Sequence, residues 1–253
     1  MNFAKCELKY SKNRMTKNSY TVLDLFCGCG GLSLGFEKAG FDVLLGVDIW
    51  KDALKTFQFN HHKSNTLCAD MSTLTGEELK SHLGTDNVDV IIGGPPCQGF
   101  SIAGKRIVDD ERNKLYKGFV RMVDYFRPRA FVMENVPNIL SIGDGIVKQS
   151  ILDNFQELGY TVETKVLLAS DYGVPQNRKR AFFVGLLKGT FDFNIPTVEH
   201  KVTTEEALSD LTENSITDNS EYPIAPNCPY QTFMRKDSKG VWNCLLYTSP
   251  SPR

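Results

Sequence analysis

One cysteine of this chain, Cys97, lies among glycines and prolines in a way that suits chemistry. Residues 93–101 read GGPPCQGFS and follow residues 88–92, an apolar β-branched run typical of a buried strand. The prolines fix φ and remove two N–H donors, so Cys97 would be held stiffly at a strand's carboxyl end, where open α/β sheets bind ligands. A lone cysteine there is more often buried and inert, but a rigidly held thiolate also suits nucleophilic catalysis.

A carboxylate and two arginines could complete such a site. Glu134 ends the apolar run 129–134 and would lie beside Cys97 if their strands are neighbours. A glutamate there is usually a solvated cap, but next to a nucleophile it becomes a candidate acid. Arg178 and Arg180 share one face of an extended segment because they are two residues apart. They form either an exposed basic edge strand or a fork that grips a phosphate or base carbonyl and favours a thiolate.

A glycine-rich turn, residues 28–31, indicates a second site. It lies between a predicted strand and a predicted helix, where backbone N–H groups can approach a ligand. The glycines do not fit G-x-G-x-x-G, so a diphosphate is not indicated, and a tight turn without a ligand is the alternative reading. Asp48 and Asp70 end the next two strands, and they favour a cofactor that carries a ribose and an adenine.

S-adenosyl-L-methionine is a cofactor of this kind, since it has a nucleoside but no diphosphate. Asp48 would accept hydrogen bonds from the ribose hydroxyls, and Asp70 would accept one from the adenine amino group. Ile49 or Trp50 would pack on the ring.

Alternation of strands and helices must position these residues. It predicts an α/β fold with a doubly wound, mostly parallel, Rossmann-like sheet and helices on both faces. The last two strands are expected to form an antiparallel edge. Strands are predicted at residues 20–26, 43–47, 66–69, 88–92, 129–134, 161–168 and 179–187, and helices at 32–39, 50–60, 115–126 and 146–158.

Composition narrows the function classes. The chain has 253 residues, of which 41% are hydrophobic and 23% charged, as in ordinary globular proteins. The net charge of −1 gives no global attraction for a polyanion, so nucleic acid would need a local basic patch. No membrane span or secretory signal is indicated. Seven cysteines without CxxC spacing argue against disulfides and a metal site, and favour a reducing cytoplasm.

The ends of the chain differ in character from its centre. Residues 1–19 are polar and lysine-rich, which predicts a flexible extension rather than a DNA-binding arm. Residues 189–243 are richer in proline and polar side chains, and only residues 204–211 look helical there. We expect this region to be a linker and the start of another module.

Four motifs in order resemble the C5-cytosine DNA methyltransferase family, bacterial type, over about residues 20–187. They are DLFCGCGG at 24–31, GPPCQGFS at 94–101, ENV at 134–136 and QNRKR at 176–180. The resemblance implies an S-adenosylmethionine-binding catalytic domain over residues 20–188 and the start of a target-recognition region within 189–243. It also implies a truncated chain, with a non-native tail at 244–253 and weak cofactor binding because a returning helix is missing.

The resemblance implies a mechanism that agrees with these residues. The Cys97 thiolate adds to C6 of a flipped-out cytosine, and C5 then takes the methyl group. Glu134 would bond to the ring N3 and amino group, Arg180 would hold O2, and Arg178 would steady Glu134 or a phosphate. The implied cofactor residues are Phe26, Gly28, Gly30, Gly31, Asp48, Ile49, Asp70, Met71 and Pro95. The implied DNA contacts are Gln98, Ser101, Lys105 and Arg106, in a loop that would close on DNA.

The family also suggests partners. The resemblance implies that the substrate is double-stranded DNA and that the protein is a monomer in the bacterial cytoplasm. It also implies a partner, a restriction endonuclease that acts on the same site. An RNA (tRNA) cytosine-5 methyltransferase and a non-catalytic DNA-binding relative are the alternatives. A dinucleotide-dependent oxidoreductase is disfavoured because the diphosphate fingerprint fails.

Overall fold

The computed structural model describes residues 19–85, 87–96, 113–211 and 224–235. They form two compact units. The larger comprises Ser19–Leu168 and Arg178–Pro196, and the smaller comprises Ala169–Asn177 together with the described residues from Thr197 onward. Residues 169–177, which the sequence analysis included in the 20–188 domain, belong to the smaller unit. Within that unit the Val198 N–H donates to the Asp171 carbonyl at 2.8 Å.

A seven-stranded sheet forms the centre of the larger unit. Its strands are β1 Thr21–Leu25, β2 Asp42–Asp48, β3 Asn65–Cys68, β4 Val90–Gly93, β5 Ala130–Asn135, β6 Thr161–Leu168 and β7 Lys179–Leu186. The order is β3-β2-β1-β4-β5-β7-β6; the first five strands are parallel, and β7 is antiparallel to both β5 and β6. The predicted doubly wound, mostly parallel sheet with a final antiparallel pair is therefore confirmed.

Five α-helices belong to the larger unit and two to the smaller among the described residues, beside short 3-10 helices at Pro137–Leu140 and Ala169–Tyr172. The α-helices are α1 Gly31–Lys38, α2 Lys51–Asn60, α3 Gly76–Leu83, α4 Lys114–Phe126 and α5 Ile146–Glu157, then α6 Thr204–Leu208 and α7 Pro229–Met234. The sequence prediction missed α3, which begins with a reciprocal capping box between Thr75 and Glu78. The prediction that only residues 204–211 are helical beyond residue 188 was wrong, because α7 is also present. None of the described helices has the length and apolarity needed to cross a membrane.

The sheet buries one face against α3, α4 and α5. Phe131 of β5 stacks on Phe155 of α5 with ring centroids 4.0 Å apart, and Phe119 of α4 meets both rings edge-on. All three side chains are fully buried. Such aromatic packing of helices on strands contributes several kcal/mol of hydrophobic free energy, roughly 1.5–3 kcal/mol for each buried side chain.

The opposite face packs against α1 and α2. Phe57 of α2 is fully buried there, and it lies over Gly46 of β2. A Cβ atom at residue 46 would be 2.7 Å from the Phe57 ring, so the strand has glycine where the ring needs space. Farther along this face, described residues of β5 and β7 border an apolar groove of about 680 Å³, lined among others by Val132, Phe182 and Val184.

Candidate active site

Glu134 lies at the edge of the sheet where the chain leaves β4. Strands β4 and β5 are parallel neighbours, with Gly93 opposite Met133. The residues that follow this pair, Gly94 and Glu134, are therefore neighbours as well. A Cβ at Gly94 would be 3.2 Å from Glu134 Oε2. The segment that leads to Cys97 thus passes directly beside this carboxylate.

Cys97 itself lies outside the described residues. So do the predicted DNA-contacting residues Gln98, Ser101, Lys105 and Arg106. Their roles stay predictions.

Two arginines approach the same oxygen of Glu134. Arg180 Nε is 2.8 Å from Glu134 Oε1, and Arg178 Nη2 is 3.8 Å from it. The side chains of Glu134 and Arg180 are about one quarter exposed, while that of Arg178 is about half exposed. The resemblance gave Arg178 the role of steadying Glu134 or a phosphate and gave Arg180 the role of holding the base O2, whereas in the structure Arg180 makes the closer contact with Glu134.

Strand direction explains this meeting. Because β7 runs antiparallel to β5, its first residues lie at the edge where β5 ends, and Glu134 is opposite Phe182. Arg180 lies two residues from Phe182 on the same strand face. A parallel β7 would have carried its amino-terminal arginines to the opposite edge of the sheet.

Asn135 fixes the segment before Cys97. Its Nδ2 donates a hydrogen bond of 2.9 Å to the Pro95 carbonyl, and its Oδ1 accepts one of 2.8 Å from the Val136 N–H. Asn135 and Pro95 are both buried. The sequence reasoning assigned Asn135 no role, although its place directly after Glu134 at a strand end was the available signal.

The family model for C-5 cytosine-specific DNA methylases matches residues 20–244. The chain belongs to this family. The resemblance predicted from the four sequence motifs is therefore confirmed.

Relatives of the chain include Type II methyltransferases. The chain is 43% identical over 237 residues to the Type II methyltransferase M.DdeI of Desulfomicrobium norvegicum, covering 88% of this chain and 56% of the relative. It is 47% identical over 174 residues to the Type II methyltransferase M1.HphI of Haemophilus parahaemolyticus, covering 68% of this chain and 47% of the relative. The chain thus spans about half the length of these curated relatives.

A solved structure agrees with this assignment. A putative DNA modification methyltransferase encoded within an E. coli prophage matches with a TM-score of 0.68 and 38% sequence identity. The match covers 80% of this chain and 57% of that one.

The glycine turn of this DNA methylase chain has backbone angles that favour glycine. Gly28 has φ of 53° and Gly30, the N-cap of α1, has φ of 91°. A Cβ at Gly28 or at Gly31 would meet no atom within 4 Å, so both positions border open space. Phe26 also has a positive φ, 64°, which is unusual for an aromatic residue.

Asp48 holds the turn through a hydrogen bond with its main chain. Its Oδ2 accepts a hydrogen bond of 2.8 Å from the Gly28 N–H, and its Oδ1 accepts one of 2.9 Å from the Trp50 N–H. A carboxylate oxygen can accept more than one hydrogen bond, so ribose hydroxyls can still be bound. The next residue, Ile49, is two-thirds exposed and is available to pack on a ligand.

The remaining predicted cofactor residues differ in access. Asp70 is exposed, and the hydrogen bond that its carboxylate accepts from the Ser72 N–H lowers its pKa. Met71 was predicted to contact the cofactor, but its side chain is 2% exposed and packs in the core. Its carbonyl accepts a hydrogen bond from Arg121 at 2.8 Å.

A buried acid beneath the turn was not among the predicted site residues. Asp24 of β1 is 1% exposed, and it accepts a hydrogen bond of 2.5 Å from the Ser33 hydroxyl of α1. Burial raises the pKa of Asp24 to about 7, and the negative charge of Asp48 adds to the rise. Burial likewise raises the pKa of the Cys27 thiol, which makes Cys27 unsuitable as a nucleophile.

Proposed function

We propose that this chain carries the catalytic region of a DNA (cytosine-5-)-methyltransferase that uses S-adenosyl-L-methionine. The observation that carries the proposal is the contact of Arg180 with Glu134, beside the segment that leads to Cys97. Membership of the C-5 cytosine-specific DNA methylase family supports the same assignment. Because the chain spans about half of its relatives, the reading of a target sequence is proposed for the longer protein.

The proposed roles follow the chemistry of cytosine. C5 is a weak nucleophile, and addition of the Cys97 thiolate to C6 makes it an enamine carbon. Glu134 would contact N3 and the amino group, and it would compensate the charge that develops on the ring. After C5 has gained a methyl group it loses its proton, and the thiolate leaves C6 as the double bond re-forms. The base must leave the duplex stack to reach the site.

Arg180 orients Glu134 in this scheme. A guanidinium that holds Oε1 leaves Oε2 directed toward Gly94 and the segment of the nucleophile. A carboxylate fixed in this way loses less rotamer freedom when the base enters. Arg178, at the longer distance, has room to contact a phosphate or the base.

The glycine turn fits the proposed cofactor. The site offers open space beside Gly28 and Gly31, an exposed Ile49 and the carboxylate of Asp48. The sequence of the turn lacks the diphosphate-binding motif, which agrees with a cofactor that has no diphosphate. When bound, S-adenosyl-L-methionine supplies an electrophilic methyl group on a sulfonium. We further propose that the substrate is double-stranded DNA. We also propose that the protein is a monomer in the bacterial cytoplasm and that a restriction endonuclease of the same specificity is its partner.

Covalent capture tests the proposal. The longer protein that contains this segment is incubated with the methyl donor and a duplex containing 5-fluorocytosine, which blocks loss of the group at C5 and traps the cysteine adduct. We expect adduct from the unchanged protein, none from Cys97→Ser, and at least about a hundredfold slower capture by Glu134→Gln. Glu157→Gln, an exposed carboxylate on α5, is the matched control and should capture normally.

Two further arms sharpen the experiment. Arg180→Lys should slow capture more than Arg178→Lys, since the shorter contact to Glu134 belongs to Arg180. A fluorinated tRNA offered in place of the duplex tests the RNA alternative. Capture of the tRNA but not of the duplex would reject DNA as the substrate, and normal capture by Cys97→Ser would reject the mechanism.

A further inference from the structure

A histidine is buried behind the glycine turn. His61 directly follows α2 and is 2% exposed. Its ring lies on Phe57 with centroids 4.3 Å apart. Two acceptors flank the ring: Nε2 is 3.1 Å from the Gly30 carbonyl oxygen, and Nδ1 is 2.9 Å from Glu37 Oε2. The contact with Glu37 has the distance of an ion pair without the alignment of a hydrogen bond.

The hydrogen bond to Gly30 has a defined direction. A carbonyl can only accept, so Nε2 must carry the hydrogen. The same carbonyl also accepts the first hydrogen bond of α1, from the Leu34 N–H at 2.9 Å. His61 therefore ties the end of α2 to the residue from which α1 starts.

The histidine ring also occupies the space that Gly30 leaves free. A Cβ at Gly30 would be 2.1 Å from His61 Nε2 and 2.9 Å from the Phe57 ring. The turn is consequently held from two sides, by Asp48 on the Gly28 N–H and by His61 on the Gly30 carbonyl. These two residues fix both glycines that have positive φ in the turn.

We propose that His61 is a positioning residue for the methyl donor. It does not contact the cofactor; it holds the turn in the shape that presents the backbone of residues 28–31 to it. This inference rests on the proposed function, because it concerns the same cofactor site. Loss of the Nε2 donor should weaken cofactor binding while leaving the chemistry at Glu134 unchanged.

Two substitutions separate hydrogen bonding from packing. His61→Phe keeps an aromatic ring against Phe57 and removes the donor, whereas His61→Gln removes the ring and can still present an N–H to Gly30. The net value of a typical hydrogen bond corresponds to about a tenfold change in an equilibrium constant. We expect His61→Phe to raise the dissociation constant for S-adenosyl-L-homocysteine about tenfold, and His61→Gln to raise it less than threefold.

Titration calorimetry on the longer protein that contains this segment measures the affinity. Steady-state kinetics should show the same difference between His61→Phe and His61→Gln: His61→Phe should raise KM for the methyl donor and keep kcat within twofold. Phe57→Leu is the matched control, since it loosens the same packing without touching the donor. Glu37→Gln, on the partly exposed face of α1, provides a variant that should fold in any case and should weaken binding two- to threefold.

Each outcome is informative. Equal affinity in His61→Phe and the unchanged protein would overturn the positioning role, as would equal losses in His61→Phe and Phe57→Leu at matched stability. If the unchanged protein binds no S-adenosyl-L-homocysteine at all, the proposed function itself fails. Binding by the unchanged protein with no effect of His61→Phe leaves that function intact and rejects only this inference.

Discussion

The buried carboxyl of Asp24 should make the stability of this protein depend on pH in an unusual direction. In an unfolded chain Asp24 ionises near its ordinary pKa of 3.8, but in the folded protein burial delays ionisation to about pH 7. The folded state therefore binds the proton more tightly. The contribution of the Asp24 proton to stability is fully present below pH 4, falls as pH rises to 7, and is lost above that.

The size of the effect follows from the shift. A rise from 3.8 to about 7 corresponds to about 4 kcal/mol at about 1.4 kcal/mol per pKa unit. Between pH 5 and pH 8 the part still to be lost is about 2 to 3 kcal/mol. Asp24→Asn removes this titration, while its amide oxygen can still accept the Ser33 hydroxyl.

Urea denaturation followed by circular dichroism at several pH values measures the effect. We expect the free energy of unfolding of Asp24→Asn, relative to the unchanged protein, to rise by about 2 to 3 kcal/mol from pH 5 to pH 8. Other carboxylates cancel in this difference. Asp42→Asn, an exposed carboxylate at the start of β2, serves as the control. A difference for Asp24→Asn that is the same at every pH would refute the reasoning.

Two other substitutions test the packing around the site. Asn135→Ala leaves the buried Pro95 carbonyl without its donor and should lower the free energy of unfolding by about 1–3 kcal/mol, while Asn138→Ala, at an exposed position, should change it by less than about 0.5 kcal/mol. Urea titrations that give equal losses would show that the bond to Pro95 contributes nothing. Gly46→Ala forces a Cβ to 2.7 Å from Phe57 and should cost about 1–3 kcal/mol, whereas Gly35→Ala in α1 meets open space and should stabilise by up to about 1 kcal/mol. Thermal melts in which both alanines stabilise the protein would contradict the close packing at Gly46.

Much of the fold could be predicted from the sequence because hydrophobic runs and glycines mark its elements clearly. Strand β6 was predicted with its observed limits, and most other strands and helices to within one or two residues. Helix α3 was missed because its eight residues have only two leucines to form an apolar face, although the Thr75–Glu78 capping box was a readable signal. The insertion of β7 between β5 and β6 depends on strand pairing across the sheet, which local sequence does not encode.

The arrangement of the candidate site could likewise be predicted from the sequence only in part. That Glu134 and the arginines lie at one sheet edge could be reasoned from strand ends. That Asp48 uses both oxygens on main-chain N–H groups could not, because the path of the turn is a tertiary feature. His61 is one of two adjacent histidines, and only the packing of α2 decides which of them is buried against Gly30.

Phe57 fills the place of two missing side chains at once. Its ring lies within 3 Å of where a Cβ would project from Gly46 in the sheet and from Gly30 in the turn. In a genetic selection, the damage done by a small side chain at Gly46 should be partly relieved by a smaller residue at position 57. At Gly30 the same exchange should not suffice, because His61 Nε2 lies 2.1 Å from the Cβ position and φ is 91°. Phe57 would thus be a suppressor locus for defects in the strand but not for defects in the turn.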